Sequence, residues 1–221
     1  MPGPRPATSS KRRPPLTKDR VIVAAIKFVD AEGIEALSMR KLAGRLGYEV
    51  MSLYNHVANK DEVLDEILEE VISKIMLPSH DAKWKPALRA TATSAHDVLG
   101  QHPWAVTLWW RPNLRPARLT LMEEMLRCLR EGGFSPPAAC RAFHAVMLHF
   151  VGFTGQQISV GSNAEDLTDF AESFLRQLPP DTYPHFAEHV QHHLDDDTGG
   201  DFEFVLDLIL DGLERSQRRR S

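Results

Sequence analysis

The amino-acid sequence predicts an all-α protein, with a small three-helix domain at its N-terminus followed by a larger helical domain. Apolar residues recur at steps of three and four along most of the 221 residues, which is the spacing of one face of an amphipathic helix. The sequence has no alternating strand pattern, no hairpin signal and no internal repeat. We therefore expect about nine or ten helices and no sheet.

Positive charge is concentrated at the start of the chain. Residues 1–60 hold 11 Lys and Arg against 5 Asp and Glu, a net charge of +6, whereas residues 61–221 hold 15 against 25, a net charge of −10. This asymmetry indicates a basic module on an acidic body, although the whole chain carries −4. The alternative is a basic tail that only improves solubility.

Composition argues against several classes of protein. Apolar residues make up 43% of the chain, which fits a folded protein and not a disordered one. No apolar run is long enough to cross a bilayer, and the basic start lacks the apolar segment of a secretory signal. Cys128 and Cys140 fit no metal or redox spacing. We therefore expect a reduced, cytoplasmic protein with no cofactor, no metal and no membrane partner.

Capping and turn signals divide the first part of the chain. Residues 1–16 are rich in Pro, Ser and basic side chains, which predicts a disordered basic arm. Four short helices should follow, the last opened by Asn59 and Glu62 as a capping pair. Their ranges are Thr17 to Gly33, Ser38 to Gly47, Val50 to His56, and Asn59 to about Ile75. The helix-turn-helix domain is predicted at residues 17–62.

Residues 63–221 are predicted to form the larger domain. Proline, glycine and capping residues divide it into helices at residues 83–101, 104–110, 115–131, 135–157, 167–178, 182–194 and 202–215. Loops are expected at residues 161–163 and in an acidic stretch at residues 195–200.

The segment from Ser38 to Lys60 predicts a helix-turn-helix. Two short helices are joined by residues 47–49, and such a pair can place its second helix in the major groove of DNA. Apolar side chains should hold the pair together, and outward side chains should donate to phosphates or base edges. The apolar set is Leu42, Ala43, Leu46 and Leu53, and the outward set is Arg40, Lys41, Ser52, Tyr54, Asn55, His56 and Lys60.

This segment resembles the TetR family of bacterial repressors. The family has a tyrosine in the recognition helix, a characteristic pair of residues shortly after it, and a lysine that opens the fourth helix. This pattern is present here as Leu53-Tyr54-Asn55-His56-Val57 and Asn59-Lys60. The resemblance covers residues 17–60. Residues 119–157 and 202–214 are similar to the regulatory domain of the tetracycline-repressor branch. The resemblance implies that residues 63–221 form an effector-binding and dimerisation domain.

The resemblance also implies which residues meet DNA. Arg40 and Lys41 should contact phosphates or a base edge, and His56 and Lys60 should contact phosphates. The recognition helix should face DNA with Val50, Met51, Ser52, Tyr54 and Asn55. Two alternatives remain: Arg40 and Lys41 can belong to a solvated helix face, and the Tyr54 ring can be half core. Val50 and Met51 can touch thymine methyl groups but cannot read hydrogen-bond donors or acceptors.

Apolar and aromatic side chains of the larger domain, interspersed with histidines, predict a small-molecule site, although most of them can equally be core. The candidates are His96, Trp104, Leu108, Trp109, Met122, Met125, His144, Met147 and Phe150. In tetracycline-sensing relatives, a histidine in the short helix before the bend binds a drug-chelated metal. Residues 104–110 contain no histidine, so a more apolar effector is expected.

By the same resemblance, the helices at residues 135–157 and 202–215 of two chains form a four-helix interface. Phe204, Leu208 and Leu213 are the candidates for this interface, unless they pack inside one chain. A homodimer would place two recognition helices one turn of DNA apart, as a double-stranded palindromic operator requires.

Three functions compete at this point. The first is a homodimeric repressor released from operator DNA by a small-molecule effector, and the second is an architectural DNA-binding protein with no ligand. The third is a metal-dependent hydrolase, because the segment from His185 to His189 matches the H-x-x-E-H pattern of a zinc-peptidase group. No third ligand, nucleophile elbow or phosphate loop accompanies that pattern, so we expect no enzyme. The sequence does not distinguish repression from activation.

Overall fold

The computed structural model describes residues 15–112, 115–161, 164–177, 182–195 and 201–218. These residues form eleven α-helices and no strand, which confirms the all-α fold class and gives more helices than the nine or ten expected. The helices are α1 (Lys18–Glu32), α2 (Met39–Leu46), α3 (Val50–Leu53), α4 (Lys60–Ile72), α5 (Trp84–Gln101), α6 (Pro103–Leu108), α7 (Pro116–Glu131), α8 (Pro136–Gly161), α9 (Ala164–Gln177), α10 (Pro184–Asp195) and α11 (Asp201–Arg218).

The chain divides into two compact units, one up to Ile67 and the other from Leu68 onward. The division falls inside α4, which therefore contributes residues to both units. A domain boundary at residues 62–63 stays a prediction. The disordered arm predicted at residues 1–16 lies almost entirely outside the described residues, apart from Pro15 and Leu16.

Capping side chains define the helices of the first unit. The hydroxyl oxygen of Thr17 accepts a hydrogen bond from the Arg20 backbone N–H at 3.3 Å, and the Ser38 hydroxyl accepts one from the Lys41 N–H at 3.2 Å. Both caps satisfy helix N–H groups that have no partner within the helix. The core between the helices contains Val21, Phe28, Leu42, Leu53 and Val57, all essentially without solvent exposure.

The recognition helix is shorter than the sequence predicts. The expected range ran to His56, but α3 ends at Leu53 and a turn follows. The reason lies in the next helix, whose start must be capped by Asn59. The Asn59 side-chain oxygen accepts from the Glu62 N–H at 2.8 Å, and the Glu62 carboxylate accepts from the Ala58 N–H at 2.6 Å. The predicted capping pair is therefore present, and the chain turns to form it.

Helix α8 is the centre of the second unit, where it packs against α5, α6, α7 and α11. Its contact with α6 is close, since a Cβ atom added at Gly155 would lie 3.1 Å from Cγ1 of Val106. The helix continues to Gly161, four residues beyond the expected end and into the expected loop. No proline interrupts residues 157–161, and the Ser159 hydroxyl donates to the Gly155 carbonyl of the same helix at 2.9 Å, so the helix extends. Residues 162 and 163 lie outside the described residues.

Helices α10 and α11 also continue past their expected ends, α9 begins three residues early at Ala164, and α4 and α6 end early at Ile72 and Leu108. Helix α10 includes Asp195, which was expected to open the acidic loop, and the rest of that loop lies outside the described residues. Helix α11 runs from Asp201 to Arg218, three residues beyond the expected end. The Glu214 carboxylate pairs with Arg218 four residues later at 3.3 Å, an arrangement that favours continuation of the helix.

Ion pairs join α5 to α11. The Lys85 amino group lies 2.5 Å from a carboxylate oxygen of Asp211 and 3.2 Å from one of Glu214. One turn along α5, the Arg89 guanidinium contacts Asp207 at 2.8 Å and Glu203 at 3.0 Å. These side chains are partly exposed, so the pairs contribute little to stability individually. Their regular spacing fixes the register of the two helices.

We expect Leu53→Ala to lower the free energy of unfolding by about 2–5 kcal/mol, because it leaves a cavity at a fully buried site. The matched control is Met51→Ala, two residues away on the same helix, whose side chain is 69% exposed. That variant should change stability by less than about 0.5 kcal/mol. Chemical denaturation measures both, and equal losses would contradict the described core.

Candidate DNA interface and effector site

The connection between α2 and α3 has the geometry of a tight helix-turn-helix. Gly47 closes α2 with φ +74° and ψ +29°, a left-handed conformation that strains other residues. The Tyr48 N–H donates to the carbonyl of Ala43 at 3.0 Å, which closes the helix end. With Leu42 and Leu53 buried at the seam, the opposite sides of both helices remain accessible to a ligand.

All nine residues predicted to contact DNA lie on α2, α3, the turn after α3 or the start of α4, and none is fully buried. Arg40, Lys41, Met51, Tyr54 and Asn55 are exposed. The half-buried members are Val50, Ser52, His56 and Lys60. The Tyr54 ring is 43% exposed, so it is accessible and does not belong to the core.

The cations of the first unit include two groups that differ in their pairing with carboxylates. Lys18 lies 3.2 Å from Glu62 and 2.8 Å from Glu66, and its hydrogen bond with Glu66 is the main reason that its pKa is raised. Arg45 pairs with Glu32 and lies over the ring of Phe28. These two cations are neutralised by carboxylates inside the unit.

The second group consists of Arg40, Lys41 and Lys60, which make no ion pair with any described residue. Positive charge is therefore left uncompensated next to the helix-turn-helix. A polyanion with regularly spaced charges would gain most from such a surface.

The predicted effector residues are mostly buried in the second unit. Trp109 packs against Phe150 in an edge-to-face pair, with ring centroids 5.6 Å apart. The other buried members are Trp104, Leu108, Met125 and Met147, while His96 and Met122 are half-buried. These residues belong to α5, α6, α7 and α8 or directly follow α6, and α5, α6 and α7 all pack against α8.

His144 is placed apart from this group. Its side chain is exposed, and its Nδ1 atom lies 2.8 Å from the Cys140 carbonyl of its own helix. Helix α8 is apolar on most sides, so the sequence alone did not show which side His144 takes.

An aromatic cluster around the buried Phe202 was not predicted from the sequence. The Phe202 ring stacks on the imidazoles of His96 and His149, with centroids 4.0 Å and 4.7 Å away. The Thr154 hydroxyl donates to the Phe150 carbonyl, so the contact of 2.7 Å between Thr154 and His96 needs a proton on Nδ1 of His96. The Nε2 atom of His149 donates to the carbonyl of Phe202 at 3.0 Å.

Burial disfavours the protonated form of both imidazoles in this cluster. Burial lowers the pKa of His96, and this effect outweighs the neighbouring Asp97 carboxylate. Burial also lowers the pKa of His149, against the opposing hydrogen bond to the Phe202 carbonyl. The signal available in the sequence was the spacing of Phe150, Phe153 and Thr154 around α8, but the contact with Phe202 is long-range.

Arg118 is a second residue that the sequence analysis did not include. Its guanidinium carbon lies 5.5 Å from the centroid of the Trp109 ring, and its pKa is lowered by burial. Its Nε–H group and the indole N–H of Trp109 are both buried without an acceptor among the described residues. Two donor-only groups therefore face the interior beside the predicted effector residues.

A surface cavity of about 420 Å³ also lies in the second unit, lined by Trp84, Lys85, Cys128, Glu131 and Gly132 among others. None of the predicted effector residues lines it. A Cβ atom at Gly132 would come within 2.7 Å of the Trp84 ring, so the glycine allows the indole to lie in this wall.

The histidine segment of α10 does not form a metal site in the described part of the chain. The side chains of His185 and Glu188 are 93% and 79% exposed, and they contact each other at 3.6 Å. No group of three or more potential ligands is found among the described residues. In that part of the chain, no helix is long and apolar enough to cross a membrane.

A glycine-linked helix pair with uncompensated cations, followed by a larger helical unit, defines a helix-turn-helix DNA-binding regulator. The family comparison agrees. Residues 21–67 match the model described as bacterial regulatory proteins of the TetR family, and residues 77–217 match the tetracycline repressor-like C-terminal domain. The chain belongs to the TetR family of DNA-binding transcriptional regulators, in its tetracycline-repressor-like branch, and the members of this family are not enzymes.

Individual relatives extend over most of the chain. The HTH-type transcriptional repressor DrrR1 of Streptomyces coeruleorubidus is 36% identical, over 96% of this chain and 82% of the relative. The class D tetracycline repressor of Escherichia coli is 32% identical over 75% of this chain and 76% of its own length. Apo ActR of Streptomyces coelicolor superimposes with a TM-score of 0.79 and 28% identity, over 94% of this chain and 99% of ActR.

We expect the protein to lose stability as the pH falls below about 6.5, the ordinary pKa of histidine. The unfolded chain then binds protons more readily than His96 and His149 do in the folded protein, so protonation favours the unfolded state. Melting temperatures between pH 7.5 and 5.5 measure the effect.

The double variant His96→Asn/His149→Gln should lose most of this pH dependence, whereas His80→Gln, at a side chain 69% exposed, should keep it. The same slope in the double variant as in the native protein would contradict the assignment.

Proposed function

We propose that the protein is a homodimeric repressor that binds a palindromic operator and is released from it by a small apolar effector. The observation that carries this proposal is the division of the cations in the first unit. Lys18 and Arg45 are neutralised within the fold, whereas Arg40 and Lys41 are exposed without an ion-pair partner among the described residues. DrrR1 is a transcriptional repressor, which supports repression over activation for this chain.

In this proposal, α3 enters the major groove and α2 lies against the backbone. Arg40 and Lys41 contact phosphates near the groove entrance, and His56 and Lys60 contact phosphates at the start of α4. Ser52, Tyr54 and Asn55 offer hydrogen-bonding groups towards the bases or the backbone. The alternative is that Arg40 and Lys41 belong to a solvated helix face. That alternative gives no function to the positive charge concentrated beside the helix-turn-helix.

A second copy of the chain is proposed to cover α8 and α11. Leu148 of α8 is exposed, and on α11 Phe204 and Leu208 are 64% and 53% exposed. Large apolar side chains exposed on two packed helices are typical of a protein interface. Gly152 and Gly212 lie one turn further along the same two helices, where their lack of side chains permits close approach of helices. Leu213 is half-buried and is kept as a candidate.

The effector site is proposed beside α8, among Trp104, Leu108, Trp109, Met125, Met147 and Phe150, with His96 and Met122 at its edges. The unpaired N–H groups of Trp109 and Arg118 would suit an apolar molecule that carries an acceptor oxygen. ActR, which has been solved in complex with actinorhodin, supports a small-molecule effector. His144 belongs to this site only if its exposed side chain is covered by the second copy.

Release would follow from a preference of the effector for one arrangement of the second unit. Helix α4 contributes residues to both units, so a displacement of its C-terminal half is passed along continuous backbone hydrogen bonds to Lys60. The two recognition helices would then no longer match the spacing of the half-sites.

We expect the purified protein to bind the DNA upstream of its own gene more tightly than shuffled DNA, with an affinity that falls steeply with salt. Arg40→Gln/Lys41→Gln should lower affinity by about tenfold or more and reduce the salt slope by about one to two per subunit. The control Lys18→Gln/Arg45→Gln should leave the slope unchanged. Fluorescence anisotropy at several salt concentrations measures this, and no preference for the upstream DNA would reject the proposal.

Leu208→Glu should convert the dimer to a monomer without lowering protomer helicity, because the side chain is exposed in one protomer. Loss of the dimer should also weaken operator binding, since only one half-site is then engaged. Leu119→Glu, at a similarly exposed leucine of α7, should remain dimeric. Light scattering after gel filtration separates the outcomes, and a dimeric Leu208→Glu would refute this interface.

The ligand-independent architectural protein is the remaining alternative. An effector-released repressor requires a molecule that raises the melting temperature and lowers operator affinity together. A protein that no candidate small molecule affects in both ways would support the architectural function.

A further inference from the structure

We infer that Met51 reads the C5-methyl groups of thymine in the major groove, so that operator recognition depends on methyl contacts as well as hydrogen bonds. This inference rests on the proposed operator binding and adds the chemistry by which one residue selects its base. It concerns the exposed side of α3, opposite the buried Leu53.

Met51 is an apolar side chain on the exposed side of α3, where polar side chains are expected. Met51 is 69% exposed, the largest exposure among the large apolar side chains of the described residues. Its neighbours Tyr54 and Asn55 are also exposed, and both carry hydrogen-bonding groups. Water covers a methionine poorly, so the side chain gains free energy from any partner that buries it.

The charge around Met51 indicates which partner this is. Arg40 and Lys41 on the adjacent helix are exposed and make no ion pair with described residues. Glu49, the N-cap of α3, is the only acidic residue between Ser38 and Lys60, against four Lys and Arg, so this segment carries net positive charge. An apolar protein surface would have to desolvate these cations, whereas a nucleic acid neutralises them. The partner that covers Met51 is therefore a polyanion that also presents an apolar group.

The major groove presents one such group. Each base offers donors or acceptors there, and thymine alone of the four bases adds a methyl group. A methionine side chain is long and flexible enough to reach it, and its sulfur is only a weak acceptor. Val50 is half-buried and its β-branched side chain is stiff, so it contributes less. The burial of one methyl group corresponds to about a fourfold change in affinity.

The first arm of the test uses DNA without these methyl groups. The native protein first selects its preferred duplex from a random library. Each thymidine of that duplex is then replaced, one at a time, by deoxyuridine, which lacks only the C5-methyl group. We expect one or two positions in each half-site at which the replacement lowers affinity by about threefold to fivefold. No sensitive position would overturn the inference.

The second arm assigns the effect to Met51. Met51→Ala should bind the thymine duplex about threefold to fivefold more weakly per half-site, and should be indifferent to uracil at the sensitive position. Its salt slope should match that of the native protein, because no phosphate contact is lost. Met76→Ala, at a methionine 58% exposed in the second unit, is the control and should retain the full uracil effect.

The outcomes are distinguishable. A uracil penalty of equal size in native protein and Met51→Ala would mean that DNA shape or another residue senses the methyl, and would overturn the assignment. Failure to enrich any duplex would instead reject operator binding itself, whatever the role of Met51.

Discussion

The burial of Leu42 and Leu53, one on each of two packed helices, is the constraint on which the DNA-reading part of the molecule depends. Helix α3 has four residues, far fewer than an isolated helix needs for stability in water. It persists because both leucines are fully buried and because Gly47 turns the chain sharply between the two helices. The exposed residues of α3 do not contribute to the core, so they can vary to suit the DNA sequence without destabilising the fold.

Charged residues are likewise divided between those that stabilise the fold and those that are available to DNA. Carboxylates of α1 and α4 neutralise the cations that hold these helices in place, as Lys18 with Glu66 illustrates. Arg40 and Lys41 on α2 and Lys60 at the start of α4 make no ion pair with described residues, and neither does Lys27 on α1. A surface that concentrates charge in this way binds phosphates over a range of sequences, and base selection must come from the few side chains of α3.

Local signals made most of the fold predictable. Thr17, Ser38, Asn59 and Gly47 each act within a few residues of chain, and the helices they open or close were expected nearly where they lie. The end of α3 was missed because the turn after Leu53 serves the capping of the following helix. The orientation of His144 was missed because α8 is apolar almost all round and periodicity then gives no direction.

Long-range contacts were beyond the reach of sequence patterns. The neutralisation of Arg45 by Glu32 and the stacking of Phe202 on two histidines join residues 13 or more positions apart, and no local rule indicates them. Of the residues expected to lie outward on the helix-turn-helix, Arg40, Lys41, Tyr54 and Asn55 are exposed, while Ser52, His56 and Lys60 are half-buried. The sequence did not predict which cations remain available, or that Arg118 lies beside Trp109.

The placement of the tryptophans gives the molecule a built-in optical label. All four follow residue 83, so the first unit contributes no indole emission. Trp104 and Trp109 are buried and should emit at short wavelength, whereas the adjacent Trp110 is exposed and should emit further to the red. Tryptophan fluorescence, excited at wavelengths where tyrosine does not absorb, thus comes from the larger unit alone. A small molecule that binds beside α6 would change this emission, whereas contacts made by α3 itself have no tryptophan to report them.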